Sequence, residues 1–592
     1  MRLLAALALA PLMAAAMLGL GEALGGRTAG DRWVRGWTAA WWVVALVAQA
    51  AGPGPSVWVG FAALSFGLWR ASAMIRERPR AALLFAAALA AGAPLWLLPP
   101  YFYDTLVYHL GLPWTWLANR TFAIVPHNLF SNFPAAAPTI FLLPVAAGLP
   151  EAAAGLHWAT FVVALVALAR LAGRLGAGRY RWVAPALLVG CWHATWIATV
   201  AAADQLVLLG IIVMTDHLVA GNESRRTRIL GAGLAFGLAL AAKYTAVVPA
   251  AAVLAAAAVA AFAVSWWAGV LGVAASSFWW VRNLVVTGNP VFPLGWALFG
   301  GHGWSAADDQ RYLALVREGV GGAASIPAGL AHLVVPPVGL GWWVVAILPL
   351  AVLAISGRGP RRERRLVAVA AVLALAGWLV TSQTTRYALP LAALVAALAA
   401  AGVAGLTARP ARLVLGLLGV TVVLGVLNLS TFLFGVLRVG RVWRGEASAE
   451  AWRHSVTLDD PLPAYRRCAA GLPRQARILV VGEGRSWGCP RPHQVSSPYD
   501  EQLAQNVVEN SASASAAAQR LRATGFTDLV INWGEVARLG GPGYRVLRWT
   551  TPAAAARWRE LLERFTTPVF RDGEVEVRAL AAGPAAPGPA GR

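Results

Sequence analysis

Long apolar runs separated by short polar segments dominate the chain from its beginning to about residue 437. A helix that crosses a bilayer needs about 20 predominantly apolar residues, and many of these runs approach that length. The pattern therefore predicts about fourteen transmembrane helices. The predicted spans are 3–20, 37–51, 56–69, 81–98, 152–169, 182–200, 206–220, 229–242, 244–264, 266–281, 333–355, 366–380, 387–406 and 413–437.

One apolar stretch is interrupted by prolines. Residues 134–150 contain Pro134, Pro138, Pro144 and Pro150. Because proline removes a backbone hydrogen bond from a helix interior, a straight span is disfavoured here. We predict a re-entrant or interfacial segment instead.

Arginines gather in five clusters between the apolar runs. Basic residues are enriched in short cytoplasmic loops, so the clusters assign the sides of the membrane. If all five are cytoplasmic, the predicted outer segments are the loop 99–133, the turn before Asp204, the loop 282–329 and everything after residue 437. The clusters are Arg70, Arg76, Arg78 and Arg80; Arg170, Arg174, Arg179 and Arg181; Arg225, Arg226 and Arg228; Arg358, Arg361, Arg362, Arg364 and Arg365; and Arg409 and Arg412.

A different pattern follows the last predicted span. The segments RILVV (477–481) and DLVIN (528–532) are typical of buried strands, and 500–524 has helical character. Asp-Gly at 572–573 predicts a terminal hairpin. The tail is thus predicted to be a small α/β domain, and residues 581–592, rich in alanine, proline and glycine, to be disordered.

Composition supports a membrane protein and argues against nucleic-acid binding. Hydrophobic residues make up 58% of the chain and charged residues 13%, and the charge of +22 lies in loops between apolar runs, not on one soluble face. Cys191, Cys468 and Cys489 are too few for a disulfide framework or a zinc cluster, although the outer position of Cys468 and Cys489 would allow a disulfide. The first residues fit either a signal peptide or an uncleaved first helix.

Lys243 is the only lysine among 49 basic residues. It lies inside an apolar hairpin, LALAAKYTAVVPA, at the predicted outer end of two spans. An ionisable residue in such a place is a candidate for function, and a compact ammonium suits a point contact to phosphate. The alternative is a lysine that extends its side chain to the interface from a helix end.

Acidic residues are scarce in the membrane half. Asp104, in PPYFYDTLVYHLGLPW, and Asp204, in AAADQLVLLG, are both predicted on the outer face. Each could accept a proton from a hydroxyl, hold a metal or orient a sugar, or could simply cap a helix. Asp216, beside His217 toward the cytoplasmic end of its span, is predicted to be interfacial.

Arg282 and Arg386 are also predicted on the outer face, at the ends of two spans. With Lys243 they could form a cationic pocket for a phosphate or pyrophosphate leaving group. The alternative is interfacial anchoring beside Trp279, Trp280 and Tyr387.

The first outer loop holds further polar candidates for substrate binding: Tyr108, His109, His127 and Asn128. Histidine can act as a base or a ligand, and aromatic rings stack on sugars, although single polar loop residues are often satisfied locally. GEGR at 482–485 follows a predicted strand, but no complete dinucleotide, P-loop or HExxH motif is present, which argues against nucleotide-driven chemistry in the cytosol.

These segments together resemble a known superfamily. DTLVYHLGLPWTWLANR with PHNLFSNFP, then AAADQLVLLG, AAKYTAVVP, VRNLVVTGNPVFPLG and TTRYALPLAALVAAL, resemble in order the bacterial branch of the GT-C glycosyltransferases, which contains protein O-mannosyltransferases and lipid A aminoarabinose transferases. The resemblance covers roughly residues 81–437. It implies a polyprenyl-phosphate-linked sugar as donor and an acidic residue of an outer loop in the active site.

The resemblance also assigns roles to single residues. Asp104 and Asp204 match the acidic positions of the first and second outer loops, and Lys243, Arg282 and Arg386 would face the lipid phosphate. Many relatives carry paired acids in the first loop, whereas Thr105 follows Asp104 here. A carboxylate pair and a divalent metal are therefore doubtful, and no metal ligands are assigned.

The sequence thus predicts an all-α polytopic membrane protein of GT-C type with a small outer α/β domain. The predicted parts are N-terminal helices at 1–80, a catalytic module at 81–437 and the outer domain at 438–580. The expected activity is sugar transfer from a polyprenyl-phosphate donor to a lipid, polysaccharide or protein at the outer face of a bacterial inner membrane. A transporter or lipid flippase, which would place polar groups near the midplane and often shows inverted repeats, and a non-catalytic assembly subunit are the alternatives.

Overall fold

The computed structural model describes residues 1–318, 325–335, 339–357, 359–541 and 543–581. Arg358 of the fourth arginine cluster and all but the first residue of the predicted disordered tail lie outside the described residues. The chain forms two compact units. The first comprises Met1–Val47, Pro55–Pro100 and Phe133–Arg453, and the second comprises Ala48–Gly54, Tyr101–Asn132 and His454–Arg592.

Helices form most of the chain, as its richness in alanine and leucine favours. The helices up to residue 299 are α1 (Arg2–Ala23), α2 (Ala29–Ala51), α3 (Pro53–Glu77), α4 (Pro79–Trp96), α5 (Gly111–Asn119), α6 (Ala136–Ala146), α7 (Glu151–Arg174), α8 (Val183–Gly190), α9 (Trp192–Ala198), α10 (Asp204–Val219), α11 (Arg225–Ala242), α12 (Val247–Ala275), α13 (Ser277–Thr287) and α14 (Trp296–Phe299). The remaining helices are α15 (Ala306–Glu318), α16 (Ile326–Val334), α17 (Trp343–Ala346), α18 (Leu348–Ser356), α19 (Arg361–Val380), α20 (Leu389–Ala404), α21 (Ala408–Ser430), α22 (Gly440–Trp443), α23 (Ala449–Val456), α24 (Leu462–Gly471), α25 (Leu503–Glu509), α26 (Ala514–Ala523), α27 (Trp533–Leu539) and α28 (Pro552–Phe565).

The first unit carries the membrane-spanning helices. Within the described residues, six helices are long and apolar enough to cross a bilayer, or seven if the pair Ala261–Ala275 and Ser277–Thr287, bent by 56°, counts as one span. The chain is therefore a multi-pass membrane protein, as predicted. The six are Arg2–Ala23, Pro53–Glu77, Pro79–Trp96, Glu151–Arg174, Thr385–Ala404 and Ala408–Val436.

The predicted number of about fourteen spans is not confirmed, because several apolar runs form broken or short helices. The run 182–200 breaks at Cys191 into α8 and α9, and the run 206–220 lies in the 16-residue α10. The proline-rich stretch 134–150 contains the 11-residue α6. That helix is about 16 Å long, too short for a hydrocarbon core of about 30 Å, so it is no simple span.

Three helices, α7, α10 and α20, pack against one another at the centre of the first unit. Every residue of α10 is buried, which is typical of a helix that is apolar on all sides. At Gly210 an added Cβ would lie 2.7 Å from the carbonyl oxygen of Ala235. The backbones of α10 and α11 therefore approach closely, and this positions the start of α10 beside the end of α11.

The C-terminal end of α10 is an ionic cluster. Arg170 Nε and Arg174 Nε donate to the two carboxylate oxygens of Asp216 at 2.8 and 2.6 Å. Both arginines also pair with Glu223, and His217 Nδ1 lies 3.0 Å from a Glu223 oxygen. Asp216 is buried. Since both arginines belong to α7 and Asp216 belongs to α10, these bonds hold the two helices together.

The second unit contains a five-stranded sheet. Its strands are β1 (Ile478–Val481), β2 (His493–Val495), β3 (Asp528–Asn532), β4 (Thr566–Asp572) and β5 (Val575–Leu580), in the order β2-β1-β3-β5-β4. β1 pairs in parallel with β2 and β3, and β5 pairs antiparallel with β3 and β4. Both predicted strands and the predicted hairpin are confirmed, and Gly573 supplies the positive φ of +57° in its turn.

Side chains of the sheet alternate between two cores. Leu479, Val481 and Leu529 pack with apolar residues of α25, α26 and α28, whereas Ile478 and Val480 pack with α24 on the other face. This is the period-two alternation of strands covered on both sides. The two thiols of this unit, at Cys468 and Cys489, are buried and free, so the disulfide that an outer domain would allow is not formed.

Candidate active site

The lone lysine forms an ion pair at the N-terminal end of α10. Asp204 is the first residue of α10, and Lys243 directly follows α11. Lys243 Nζ lies 3.1 and 3.3 Å from the two carboxylate oxygens of Asp204. Arg386, in the 3-10 turn Thr385–Ala388 directly before α20, places its Nε 3.8 Å from the same carboxylate. The structure thus brings three predicted site residues together.

This Lys243 cluster, defined as Asp204, Lys243 and Arg386, is largely withdrawn from solvent. The side-chain exposure is 4% for Asp204, 12% for Lys243 and 16% for Arg386. The Tyr387 ring lies 4.7 Å from Lys243 Nζ and 5.5 Å from Arg386 Cζ. Two cations lie beside one carboxylate, and a site of reduced dielectric strengthens the attraction between these cations and an anion.

A buried histidine that the sequence analysis did not select supports the start of α10. His157 Nε2 accepts from the backbone N–H of Gln205 at 3.0 Å, and His157 Nδ1 lies 2.8 Å from the carbonyl oxygen of Val200. The first N–H groups of a helix need such external acceptors. His157 stands in the middle of the apolar span that forms α7, and a polar residue there was the available signal.

Arg282 is buried in α13, with its Cζ 5.7 Å from the Trp279 ring. The neighbouring Asn283 donates to Tyr244 Oη at 3.1 Å, and Tyr244 Oη donates to the carbonyl oxygen of Phe292 at 2.9 Å. Since Tyr244 follows Lys243 in the chain, these bonds tie α13 to the segment that carries the lysine. They do not by themselves assign Arg282 to a phosphate.

The segment Tyr101–Asn132, most of the first predicted outer loop, belongs to the second unit and holds Asp104 in a defined setting. Asp104 precedes a π-helical turn, Thr105–His109, a rare geometry that is frequent at functional sites. Tyr108 Oη donates to Asp104 Oδ2 at 2.8 Å. The Tyr108 ring stacks on Phe130 at 4.9 Å and lies 4.3 Å from the buried His109 ring. Asp104, Tyr108 and His109 are thus brought together.

His127 and Asn128 make contacts of a structural kind. His127 has a left-handed backbone with a φ of +56°, and its carbonyl oxygen accepts from the N–H of Ser497 at 2.9 Å. The buried Asn128 donates through Nδ2 to the carbonyl oxygen of Val495 at 3.3 Å. Both residues therefore fasten the loop to the sheet domain. Among the described residues, no group of three or more His, Cys, Asp and Glu side chains is arranged to hold a metal ion.

The architecture is that of a multi-pass membrane protein with a small α/β domain, as the sequence predicts. Among solved structures it is similar to ArnT from Cupriavidus metallidurans. With undecaprenyl phosphate bound, that protein matches at a TM-score of 0.52 and 14% identity over 85% of this chain and 99% of its own. In the apo state the values are 0.54 and 13%, over 86% and 100%.

A weaker likeness links the chain to the archaeal oligosaccharyltransferase AglB from Archaeoglobus fulgidus, solved with an inhibitory peptide and a dolichol-phosphate. It has a TM-score of 0.43 and 11% identity over 77% of this chain and 70% of that one. No protein-family model and no curated protein matches the sequence. The likeness to solved structures is therefore a statement about the fold.

Proposed function

We propose that this protein is a glycosyltransferase that moves a sugar from a polyprenyl-phosphate donor to an acceptor outside the cytoplasm. The observation that carries the proposal is the Lys243 cluster, a cationic group of low exposure at one end of a buried helix. The ArnT structure of similar fold was solved with undecaprenyl phosphate. A phosphate carried by a lipid is the anion that a membrane-embedded ammonium suits.

The proposed roles divide between the leaving group and the attacking group. Lys243 and Arg386 bind the donor phosphate, with Arg282 as a further cation. As the acceptor oxygen bonds to the anomeric carbon, the bond from that carbon to the phosphate oxygen breaks, and its electron pair leaves with the phosphate. Cations fixed beforehand stabilise this charge as it develops.

Asp104 is proposed as the base that takes the proton from the acceptor hydroxyl. The hydrogen bond from Tyr108 fixes the orientation of the carboxylate. Asp204 has a different proposed role, because its carboxylate is already paired with Lys243. It holds the ammonium in place and offsets one positive charge of the cluster.

The proposed sidedness rests on the two ends of α10. The arginine-rich end, with Arg170 and Arg174, fits the cytoplasmic side by the distribution of basic residues. A helix of 16 residues is about 24 Å long, which places Asp204 at the other end. The Lys243 cluster is therefore proposed to face the outer side of a bacterial inner membrane, where the acceptor is a glycan, a lipid or a protein.

Transfer from a labelled donor tests the proposal. The purified protein is placed in vesicles with a radiolabelled polyprenyl-phosphate sugar and a membrane extract as acceptor. We expect the wild type to move label from the lipid-phosphate fraction to an acceptor, and Asp104→Asn to abolish this. Asp308→Asn is the matched control, because Asp308 lies in another predicted outer loop and bonds locally to Ser305 and Arg311.

The other outcomes distinguish the alternatives. Unchanged transfer by Asp104→Asn would remove Asp104 from its role. Label that crosses the bilayer still attached to its lipid phosphate would favour a flippase, a class for which broken helices such as the bent α12 and α13 pair are typical. Neither transfer nor movement across the bilayer would favour an assembly subunit.

A further inference from the structure

The sheet of the second unit has a position where open α/β sheets usually bind ligands. The chain leaves β1 toward β2 and leaves β3 toward the opposite edge, so the direction of the connections reverses between β1 and β3. Ligands of such sheets bind at the carboxyl ends of the strands beside this reversal. Here Glu483 and Arg485 follow β1, and Asn532 and Glu535 lie at and after the end of β3.

These side chains form a buried ionic network. Arg485 donates to Glu483 through Nε at 2.8 Å and Nη2 at 2.6 Å, and its Nη2 lies 3.4 Å from Glu535. Arg538 donates to both oxygens of Glu535 at 2.8 and 2.6 Å. Asn532 adds a bond of 2.7 Å to Glu483. The side chains of Arg485, Glu483 and Glu535 are at most 2% exposed, so their geometry is fixed.

The two arginines of this network hold an aromatic ring from the first outer loop. Arg485 Cζ lies 5.4 Å and Arg538 Cζ 5.5 Å from the centroid of the Tyr103 ring. Guanidinium groups within about 6 Å of a ring attract its electron-rich face. The position used for ligands in related sheets is thus occupied by a side chain of the same chain, which directly precedes Asp104.

The hydroxyl of Tyr103 contributes little to this contact. It is buried and has no hydrogen-bond partner among the described residues, and it lies 3.5 Å from where a Cβ on Gly484 would be. Burial, together with Glu483 and Glu535, raises the pKa of Tyr103 well above its ordinary value, so the ring stays neutral. The ring, and not the hydroxyl, is what the arginines hold.

Further bonds fasten the loop on the C-terminal side of Asp104. The N–H of Trp487 donates to the carbonyl oxygen of Leu106 at 3.3 Å, and Trp114 Nε1 donates to the carbonyl oxygen of Cys489 at 2.6 Å. Asn119 exchanges two bonds of 2.8 Å with the backbone of His493 in β2. The sheet domain therefore contacts the loop at several points between Tyr103 and Asn119, a stretch of 17 residues.

We propose that Tyr103 is a positioning residue for Asp104 and that the α/β domain serves to hold the catalytic loop through its Arg485 and Arg538 clamp. This inference rests on the proposed function, since it assigns Asp104 as the base. The clamp fixes the backbone immediately before Asp104, and Tyr108 fixes the carboxylate from the other side. A base held in this way needs no reorganisation when the acceptor arrives.

A series of ring substitutions at position 103 tests the clamp. Tyr103→Phe keeps the ring and should retain transfer within about twofold, because the hydroxyl has no partner. Tyr103→Leu should lower kcat at least about tenfold, with the KM for the lipid donor unchanged because the donor phosphate is bound elsewhere. Phenylalanines with one, two and three fluorine atoms at this position should lower kcat stepwise, since fluorine withdraws charge from the ring face at nearly constant size.

Two controls keep the outcomes distinct. A packing role for Tyr103 would give equal kcat across the fluorinated series, and that result would overturn the inference while leaving the glycosyltransferase in place. If the wild type transfers no sugar, the proposed function fails. The clamp is then tested by amide hydrogen exchange of residues 101–110. Faster exchange in Tyr103→Leu than in Tyr103→Phe would support the clamp, and equal exchange would overturn it.

Discussion

The two ends of α10 carry ionic clusters that differ in their balance of charged groups. At its N-terminal end, Asp204 faces the two cations Lys243 and Arg386. Lys243 directly follows α11, and Arg386 lies in the turn directly before α20, so residues at the ends of three helices meet at a single carboxylate. The Tyr387 ring covers both cations.

At the C-terminal end the charges balance. Asp216 and Glu223 each pair with both Arg170 and Arg174. Planar guanidinium groups suit such fixed, multiply bonded networks. The cluster is complete without a ligand, and it joins the end of α7 to the turn after α10.

The difference distinguishes a structural ion cluster, at the arginine end, from the proposed phosphate site at the lysine end. At the arginine end two guanidinium groups pair with two carboxylates, so each charged group has two partners of opposite charge. The lysine end places two cations beside a single carboxylate, and one of them is a compact ammonium bonded to that carboxylate. The choice of the only lysine in the chain for this position agrees with that interpretation.

Among the substitutions at the two ends of α10, Lys243→Met should have the largest effect. It keeps a side chain of similar length and removes the charge. Transfer should fall at least about 100-fold, because the leaving phosphate loses a fixed cation. The measurement is kcat/KM for the polyprenyl-phosphate donor. Lys243→Arg should recover only part of it, since a guanidinium differs in shape from an ammonium. A Met variant as active as the wild type would exclude the lysine end as the phosphate site.

Asp204→Asn should have a smaller effect and separates the two roles of its carboxylate. The amide oxygen can still accept from Lys243, but the cluster gains net positive charge. We expect kcat to fall about tenfold through imperfect placement of the ammonium, while the KM for the donor stays equal or decreases. Complete loss of turnover with an unchanged KM would instead make Asp204 a catalytic residue.

Arg174→Gln should affect stability and not transfer. It leaves Asp216 and Glu223 with Arg170 as their remaining arginine partner, at a cost of roughly 1–3 kcal/mol. Thermal unfolding in detergent should show a lower midpoint, and the transfer rate per folded molecule should equal that of the wild type. A selective loss of transfer at unchanged stability would contradict the division between the two ends.

The smallest expected effect concerns pH at the arginine end. The hydrogen bond with His217, together with Arg174, lowers the pKa of Glu223 from 4.5 to about 2. A carboxyl whose pKa is lowered on folding stabilises the protein above pH 4.5, and this contribution is lost as the pH falls toward 2. The thermal midpoint of the wild type should therefore decrease more steeply over this range than that of Glu223→Gln. If the thermal midpoints of the two proteins changed in parallel with pH, the pairing of Glu223 with His217 and Arg174 would not stabilise the fold.

The sequence predicts the elements better than the contacts between them. The β1 and β3 strands are continuous apolar runs and were predicted, whereas β2, with only three residues and the sequence HQV, has no apolar pattern. The count of about fourteen spans is not confirmed, and an apolar run does not reveal that a helix breaks, as at Cys191. Periodicity reports which residues are buried, not where the backbone bends.

The residues of the candidate site could be predicted from the sequence, but the contacts between their side chains could not. Rare residue types selected Asp204 and Lys243, yet nothing in two segments 39 positions apart indicates that their side chains bond to each other. Tyr103 was missed for the same reason, because its partners Arg485 and Arg538 lie more than 380 positions away. Such contacts depend on the packing of complete elements, which local patterns do not encode.

The central claim is that lipid phosphate binds at the lysine end of α10, and photocrosslinking tests it most directly. A polyprenyl phosphate with a photoreactive group beside the phosphate is added to the wild type in vesicles, and the modified peptides are identified by mass spectrometry. We expect crosslinks in peptides containing Lys243 or Arg386. The yield of these crosslinks should be reduced in Lys243→Met and unchanged in Arg174→Gln. Crosslinks confined to peptides containing Arg170 or Arg174 would contradict the claim.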